Sequence, residues 1–590
     1  MKISDVDINK VTPMMQQYIE IKNNNPDVII FFRLGDFYEM FFEDAINVSR
    51  ELELTLTGKN AGLDEKIPMC GIPHHAANIY IEKLVDKGYK VGICEQLEDP
   101  KFAKGIVKRD LIQIISKGTI IDNESLNEKD NNYIGNILDF DYAYGLSYAD
   151  ISTGEIFVML IEHNITKIVS EIVSIGIKEI IAHSKVDSAI ISLLKNQFKL
   201  TVTINDEIVD NKEYNYIYEN IGDVRYIETI KHLLTYITST QKRNLSHLQE
   251  AVIKENKNYL KMDIHTKRNL ELTETLRLKQ RNYSLIWLLD KTKTAMGSRM
   301  LKSFIENPLI NKDEINRRLD TVEILLKEFI LKSDLQELLF EVYDIERLSG
   351  RIAFGNANAR DLLQIKKSLE ILPNIIIDVK KLGFDYELDP NTEVYELLEK
   401  SIFDNPPVTI REGSLIKSGY NAELDELRSI RSGGKEFIAS FEESLKEQTG
   451  IKNLKVGYNK IFGYYIEVSK GQSKMVMEEF GWERRQTLTN CERFISPALK
   501  EKEALILNAE EKIIELEYNL FNEIKETIKK HLFSLKKDAE MLSEIDALIS
   551  LAVCAEEYNL VRPVLTDANE IKIKEGRHPV VEAVSRGMYV

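Results

Sequence analysis

One stretch constrains this chain more than any other: the run 497–530, PALKEKEALILNAEEKIIELEYNLFNEIKETIKK. It opens on Pro497, a residue suited to a helix's first turn. Leu505, Ala509, Ile513, Leu516, Leu520 and Ile524 then recur on one stripe, predicting a single helix of about 45 Å at 1.5 Å per residue. Upstream, YNAELDELRSIRSGGKEFIASFEESLKEQTG carries Leu424, Leu427, Phe437, Phe441 and Leu445 at mostly helical spacing and stops at Gly450, a C-terminal cap. Between the two, LKVGYNKIFGYYIEVSKGQS alternates strand residues with turn signals. Two antiparallel helices forming a stiff arm, with a small β-rich tip where they meet, is the expected arrangement.

Charge bears on what that tip does. The net charge of −17 argues against a general nucleic-acid coat, because phosphate affinity comes from lysine and arginine. Two basic islands break the pattern. Residues 101–119 hold Lys101, Lys104, Lys108, Arg109 and Lys117 against Asp110 alone, and residues 451–500 hold nine basic and five acidic residues. Either alone favours ordinary solvated charge; together they point to a located electrostatic footprint. The second coincides with the tip, where Lys470, Lys474, Arg484, Arg485 and Arg493 stand beside Thr487, Thr489 and Asn490, a set suited to gripping a phosphate backbone. A tip that docks another protein is the alternative.

At 590 residues the chain exceeds one hydrophobic core and predicts about three to five domains. The first ~120 residues read as a compact α/β module. TPMMQQYIEIKNNN has a helical pattern, DVIIFFRL that of a buried strand, and MFFEDAINVSRELEL that of an amphipathic helix. A polar linker, 122–132, precedes a second α/β module whose YAYGLSYADISTGEIFVMLI reads as a hairpin around Ser152, Thr153 and Gly154, followed by helix and strand in ITKIVSEIVSIGIKEIIAH. From about Tyr259 helical periodicity takes over. No apolar run approaches the roughly 18 residues of a membrane span, and the N-terminus lacks an apolar signal core, so a cytoplasmic protein is expected. Cys70, Cys94, Cys491 and Cys554 are scattered, as reduced thiols are.

Catalytic signatures are few. No G-x-x-x-x-G-K-[ST] occurs, and Cys70, His74 and His75 lack a second ligand pair at zinc spacing. Asp150 sits on a strand where a metal-dependent nuclease would hold a carboxylate, although a turn-facing polar residue is the commoner arrangement. RLGDFYEMFFEDA, residues 33–45, offers recognition chemistry instead. Gly35-Asp36 signals a turn, placing Phe37, Tyr38 and Glu39 near a strand-to-helix junction. There Phe37 could wedge between base steps with the Glu39 carboxyl beside it; the local pattern favours Phe37 packed inward and Glu39 solvated.

TPMMQQY, FFRLGDFYEMFFEDA, IPMCGIPHHA and GICEQLEDP closely resemble, in order and spacing, the N-terminal domain of the bacterial MutS family of DNA mismatch-repair proteins. The likeness continues through ADISTGE, TKRNLELTETL, MGSRML, LKVGYNKIFGYYIEVSKGQ, ERRQTLTNCERF and EGRHPVVEAV, across nearly the whole chain. It implies that Phe37 stacks on a mispaired or unpaired base from the minor groove while Glu39 hydrogen-bonds that base, reversing the local preference. It implies a multidomain α/β plus α architecture: a mismatch-recognition domain at 1–120, an RNase-H-like connector at 130–255, a helical core with levers at 260–425 and 516–558, a clamp at 426–515, and the start of an ATPase domain at 559–590. Lys104, Lys108, Arg109, Lys470, Lys474, Arg484, Arg485, Thr487 and Asn490 become the expected contacts to the DNA backbone. The connector's nuclease likeness is one of fold, not of cleavage.

The sequence departs from the family in stopping at Val590 before any Walker A motif, as a truncation or fragment would. ATP and Mg²⁺, implied for the intact DNA-dependent ATPase, belong to a domain outside this chain, and no cofactor or metal is expected within it. The homodimer of the intact family is doubtful here; a MutL-type repair protein is the implied partner beside mismatched duplex. Lys117 stands where the family often has proline. Two rivals remain: a metal-dependent nuclease acting through Asp150, and a helical scaffold that binds protein without DNA.

Overall fold

The computed structural model describes residues 3, 6–97, 106–120, 127–242, 245–254, 258–407, 409, 413–459, 463–477 and 480–585. The chain divides into two compact units. The first comprises Met1–Asn356, Ile371–Pro390 and Leu532–Val590; the second comprises Ala357–Glu370 and Asn391–His531.

The first unit opens with a six-stranded mixed sheet, ordered β3-β4-β2-β1-β5-β6. Its strands are β1 (Val28–Leu34), β2 (Phe37–Phe41), β3 (Thr57–Lys59), β4 (Ile67–Pro73), β5 (Lys90–Gln96) and β6 (Arg109–Ile115). The unbroken apolar run of β1 reflects cover on both faces. Val28, Ile30 and Phe32 join Met15 and Tyr18 of the helix Pro13–Asn24 in one core. Ile29 and Phe31 join Val48, Ile81 and Leu84 in the other, under the helices Phe42–Leu52 and Ala77–Asp86.

The helix expected to begin at Met40 begins later, at Phe42. Met40 and Phe41 remain in β2, whose hydrogen-bonding partners in β1 and β4 outweigh the helical spacing of the side chains. The switch falls on Phe42, whose φ of 53° is costly for a bulky residue and is held by complete burial of its ring.

A second six-stranded sheet follows, ordered β11-β10-β7-β8-β9-β12. It contains β7 (Tyr133–Asp139), β8 (Ala143–Asp150), β9 (Glu155–Glu162), β10 (Glu179–Ala182), β11 (Thr201–Ile204) and β12 (Val252–Ile253). β7, β8 and β9 form an antiparallel meander, so the hairpin expected around Ser152–Gly154 is present, while β10 and β11 add in parallel. Residues 127–132 of the expected linker are fastened down. Buried Arg347 donates to the carbonyls of Asn127 (3.1 Å) and Asp130 (2.6 Å), and buried Arg299 to that of Glu128 (2.7 Å). The helical remainder packs Ala295–Glu306 against Leu532–Glu557 at a close approach through Gly297, where a Cβ would fall 2.3 Å from the Asp546 carboxylate.

In the second unit two long helices, Ala422–Thr449 and Pro497–Lys529, lie antiparallel. Asn421 caps the first, which ends at Gly450 with a φ of 68°, and the Ser496 hydroxyl accepts from the Leu499 N–H at the start of the second. Along the predicted stripe Ala509, Ile513, Leu520 and Ile524 are buried; the side chain of Leu505 lies outside the described residues. One acid interrupts the stripe. Buried Glu517 accepts from Arg428 (2.6 Å) and from the Leu415 N–H (3.1 Å), pinning the two helices together. Between the helices lies an antiparallel sheet, β13-β14-β16-β15: β13 (Lys455–Asn459), β14 (Gly463–Ser469), β15 (Glu483–Thr487) and β16 (Cys491–Ile495). Ile466, Val468 and Phe494 of this sheet share a small core with Leu445 and Leu499 of the helices. Among the described residues no helix is long and apolar enough to cross a membrane.

Candidate nucleic-acid interface

β1 and β2 form a tight hairpin with Leu34 opposite Phe37, closed by Gly35 and Asp36 alone. Gly35 adopts a φ of 60°, the left-handed conformation that such a two-residue turn demands. Phe37 therefore starts a strand, not the strand-to-helix junction expected from the sequence. The Gly35 carbonyl accepts from Arg33 Nε (2.5 Å), and the Asp36 carbonyl from the His74 N–H (2.9 Å), fixing the turn against the end of β4.

The period of two then sorts the side chains. Phe37, Glu39 and Phe41 share one face, and burial rises along it. Phe37 is 47% exposed, Glu39 half-buried and Phe41 fully buried against Tyr18, ring centres 5.0 Å apart. The inward packing that the local pattern favoured for Phe37 is not found; Phe41, two residues on, takes that place. Glu39 is paired rather than merely solvated: Lys59 Nζ on β3 hydrogen-bonds its Oε2. On the opposite face buried Tyr38 donates to Glu95 Oε1, with the Arg33 guanidinium 3.8 Å from the same oxygen. Burial and the Glu95 carboxylate push the Tyr38 phenol well above its ordinary pKa, so it stays a donor.

The first basic island disperses. Lys101 and Lys104 lie outside the described residues, Lys108 is exposed, and Arg109 turns inward. Arg109 Nε donates to the Arg33 carbonyl (2.8 Å), NH1 to the Val107 carbonyl (2.9 Å), and its guanidinium lies 5.4 Å from the Phe32 ring centre. This geometry gives Arg109 a bracing job beside the turn end of the hairpin.

In the four-stranded sheet, Lys470, Lys474, Arg484, Arg485, Thr487 and Asn490 are all exposed. The Lys470 N–H donates to the Asn490 carbonyl (3.0 Å), bringing the loop after β14 beside the β15–β16 turn. Arg484 is 3.6 Å from the largely covered Glu492 and Arg485 2.9 Å from the exposed Glu483; both guanidinium groups stay exposed, so the pairs are of the weak kind that solvent screens. Arg493 is otherwise committed. Directly opposite Glu467 on the neighbouring strand, it bonds that carboxylate (2.9 Å) and Gln486 (3.1 Å), and lies 4.3 Å from the Tyr465 ring centre. It ties the sheet together, a correction to its place among the gripping residues.

The other sequence candidates are placed apart from one another. Cys70 is in the core, its thiol pushed up to about 12 by burial, whereas His74 and His75 are exposed. Asp150 ends β8 fully buried, accepting from the N–H groups of Asn132 and Ser152 (2.9 Å each) and from the Ser152 hydroxyl (2.6 Å). It organises the turn into β9. Lys59 and Glu517 escaped notice in the sequence, because neither the Lys59–Glu39 contact nor the Arg428–Glu517 pair follows from spacing along the chain.

An α/β module with a tight hairpin, a second mixed sheet, and long paired helices bearing a four-stranded sheet define a multidomain α/β protein. Three family models match in that order: MutS domain I over residues 12–124, MutS domain II over 132–249 and MutS domain III over 265–552. The chain is 48% identical over 579 residues to the DNA mismatch repair protein MutS of Bacillus subtilis (strain 168), covering 97% of this chain and 67% of that protein. It is 47% identical over 591 residues to the protein of the same name from Bacillus cereus (strain G9842), covering 99% and 66%. This chain belongs to the MutS family. It spans about two thirds of the length of these relatives.

Proposed function

We propose that this chain reads DNA for mismatch repair: it binds duplex at a mispaired or unpaired base, with Phe37 as a stacking wedge, Glu39 hydrogen-bonding the base, and the sheet β13–β16 holding the backbone. The observation that carries this reading is the exposure of Phe37. Among the described residues of the first module it is the one exposed Phe, Tyr or Trp, carried on a hairpin whose backbone and neighbours are fixed. A ring inserted between base steps costs a few kcal/mol of unstacking, less where pairing is already defective, and that difference is a source of selectivity.

The finer architecture belongs to the same proposal. Residues 1–120 would be the mismatch-recognition domain, 130–255 an RNase-H-like connector, 260–425 and 516–558 the core with levers, and 426–515 the clamp, with 559–590 opening an ATPase domain. Lys108, Lys470, Lys474, Arg484, Arg485, Thr487 and Asn490 would contact phosphates. Lys104 is kept on resemblance alone, and the inward guanidinium of Arg109 argues for a brace. A MutL-type protein and a second copy of the intact protein are proposed partners. Nucleotide chemistry is assigned to no residue here, since the sequence holds no phosphate-cradling loop.

The test is a gel shift comparing duplexes with and without a single unpaired base. Phe37→Ala should abolish the preference while weak binding to perfect duplex survives; an unchanged preference would defeat the wedge. Fluorophores flanking the lesion should report a bend at full occupancy, and a straight duplex would count against insertion. The rival nuclease has little support, because the Asp150 carboxylate is buried and taken up by its own turn. Labelled DNA incubated with Mg²⁺ or Mn²⁺ should remain intact.

A further inference from the structure

Glu39 presents a problem of charge. A carboxylate brought against a duplex meets phosphates of its own sign, so a reading glutamate needs something to hold its orientation and offset its repulsion. Among the described residues its hydrogen-bond and ion-pair partner is Lys59. Resting on the reading of Glu39 given above, we propose that Lys59 is a positioning residue of the mismatch-reading site: its ammonium holds one oxygen of Glu39 and leaves the other to accept a hydrogen bond from a base edge.

The sheet builds this pair deliberately across three strands. Lys59 on β3 pairs with Ile67 of β4, and Glu39 on β2 pairs with Gly71 of β4, so both project from the same face with β4 between them. Gly71 puts no side chain beside Glu39; a Cβ there would fall 3.5 Å from the Glu39 Cγ. On its way the ammonium passes 5.5 Å from the centre of the buried Phe41 ring, a favourable cation–π contact that steers the flexible stem. The two side chains are 29% and 18% exposed, sheltered enough to resist screening yet still reached by solvent. A carboxylate with Oε2 occupied retains Oε1 as an acceptor, which suits an amino or imino donor on an unpaired base. Without Lys59 the Glu39 side chain has no described polar partner to choose among its rotamers.

A double-mutant cycle on the full chain tests this, read as the ratio of affinities for a duplex with one unpaired thymine and its perfect counterpart. Lys59→Met should reduce the ratio about tenfold, within the coupling expected of directly bonded groups. Lys59→Arg should restore most of it. In a Glu39→Gln background, Lys59→Met should change the ratio less than about twofold, because the charge it serves is gone. An equal loss in both backgrounds, with a salt slope lowered by about one, would make Lys59 a phosphate contact and overturn the proposal. So would a fall in melting temperature with both duplexes weakened alike and no rescue by arginine. If Phe37→Ala abolishes the preference while Lys59→Met leaves it intact, Lys59 alone is misassigned; if Phe37→Ala leaves it intact, the mismatch reading falls and Lys59 with it.

Discussion

The hairpin β1–β2 and the sheet β13–β16 are both small β-structures edged with charge, and they use that charge in opposite ways. Around the hairpin, Arg33 and Arg109 bond carbonyls, Arg33 also flanks Glu95, and Lys59 bonds Glu39. In the other sheet Arg484 and Arg485 keep exposed guanidinium groups beside Glu492 and Glu483, and Lys470 and Lys474 stand in solvent. Cations bound internally make a surface stiff and shape-selective; cations left outside make it adhesive and indifferent to sequence. Under the proposed function, discrimination and affinity would fall to different parts of the chain.

The sharpest way to probe this division is within one strand. Phe41→Ala removes a fully buried ring and should lower the unfolding free energy by about 3–5 kcal/mol, measured by urea denaturation. Phe37→Ala on the same face should cost less than about 0.5 kcal/mol of stability. If the two destabilise equally, Phe37 is core and the wedge is lost. On DNA the order inverts: Phe37→Ala should forfeit roughly 1–3 kcal/mol of lesion binding, the worth of a stacked base.

Arg109→Ala separates brace from grip. Loss of its two carbonyl bonds should lower stability by about 1–2 kcal/mol and leave the salt slope of DNA binding unaltered. A shallower slope at unchanged stability would return it to the phosphate contacts. The smallest effect at low salt belongs to Arg484→Ala with Arg485→Ala. The logarithmic slope should fall by about one to two, with stability little changed, since both guanidinium groups are exposed and their ion pairs are screened by solvent. An unaltered slope would make these arginines ordinary surface and erase the contrast between the two regions.

Much of the skeleton could be read from the chain alone. The long helices, the Gly450 stop, the Pro497 start and the hairpin around Ser152–Gly154 all rest on local signals of period and capping, and all are present. The start of the helix after β2 was misplaced because FYEMFFEDA satisfies both periods, and only pairing with β1 and β4 decides between them. The same ambiguity hid which of the rings in that stretch faces outward. For Arg109 and Arg493, composition showed two more basic residues in basic islands, while their neighbours across the sheets show them already committed.

By itself, then, the sequence determined the long helices with their caps, the turn at Ser152–Gly154 and, through its ordered motifs, the family. Those features depend on residues within a few positions of one another. What the tertiary structure alone decided is which side chains are free. The exposure of Phe37, the hold of Lys59 on Glu39 and the burial of Glu517 each depend on a partner or on cover brought from another strand or helix, and no local period encodes that distance.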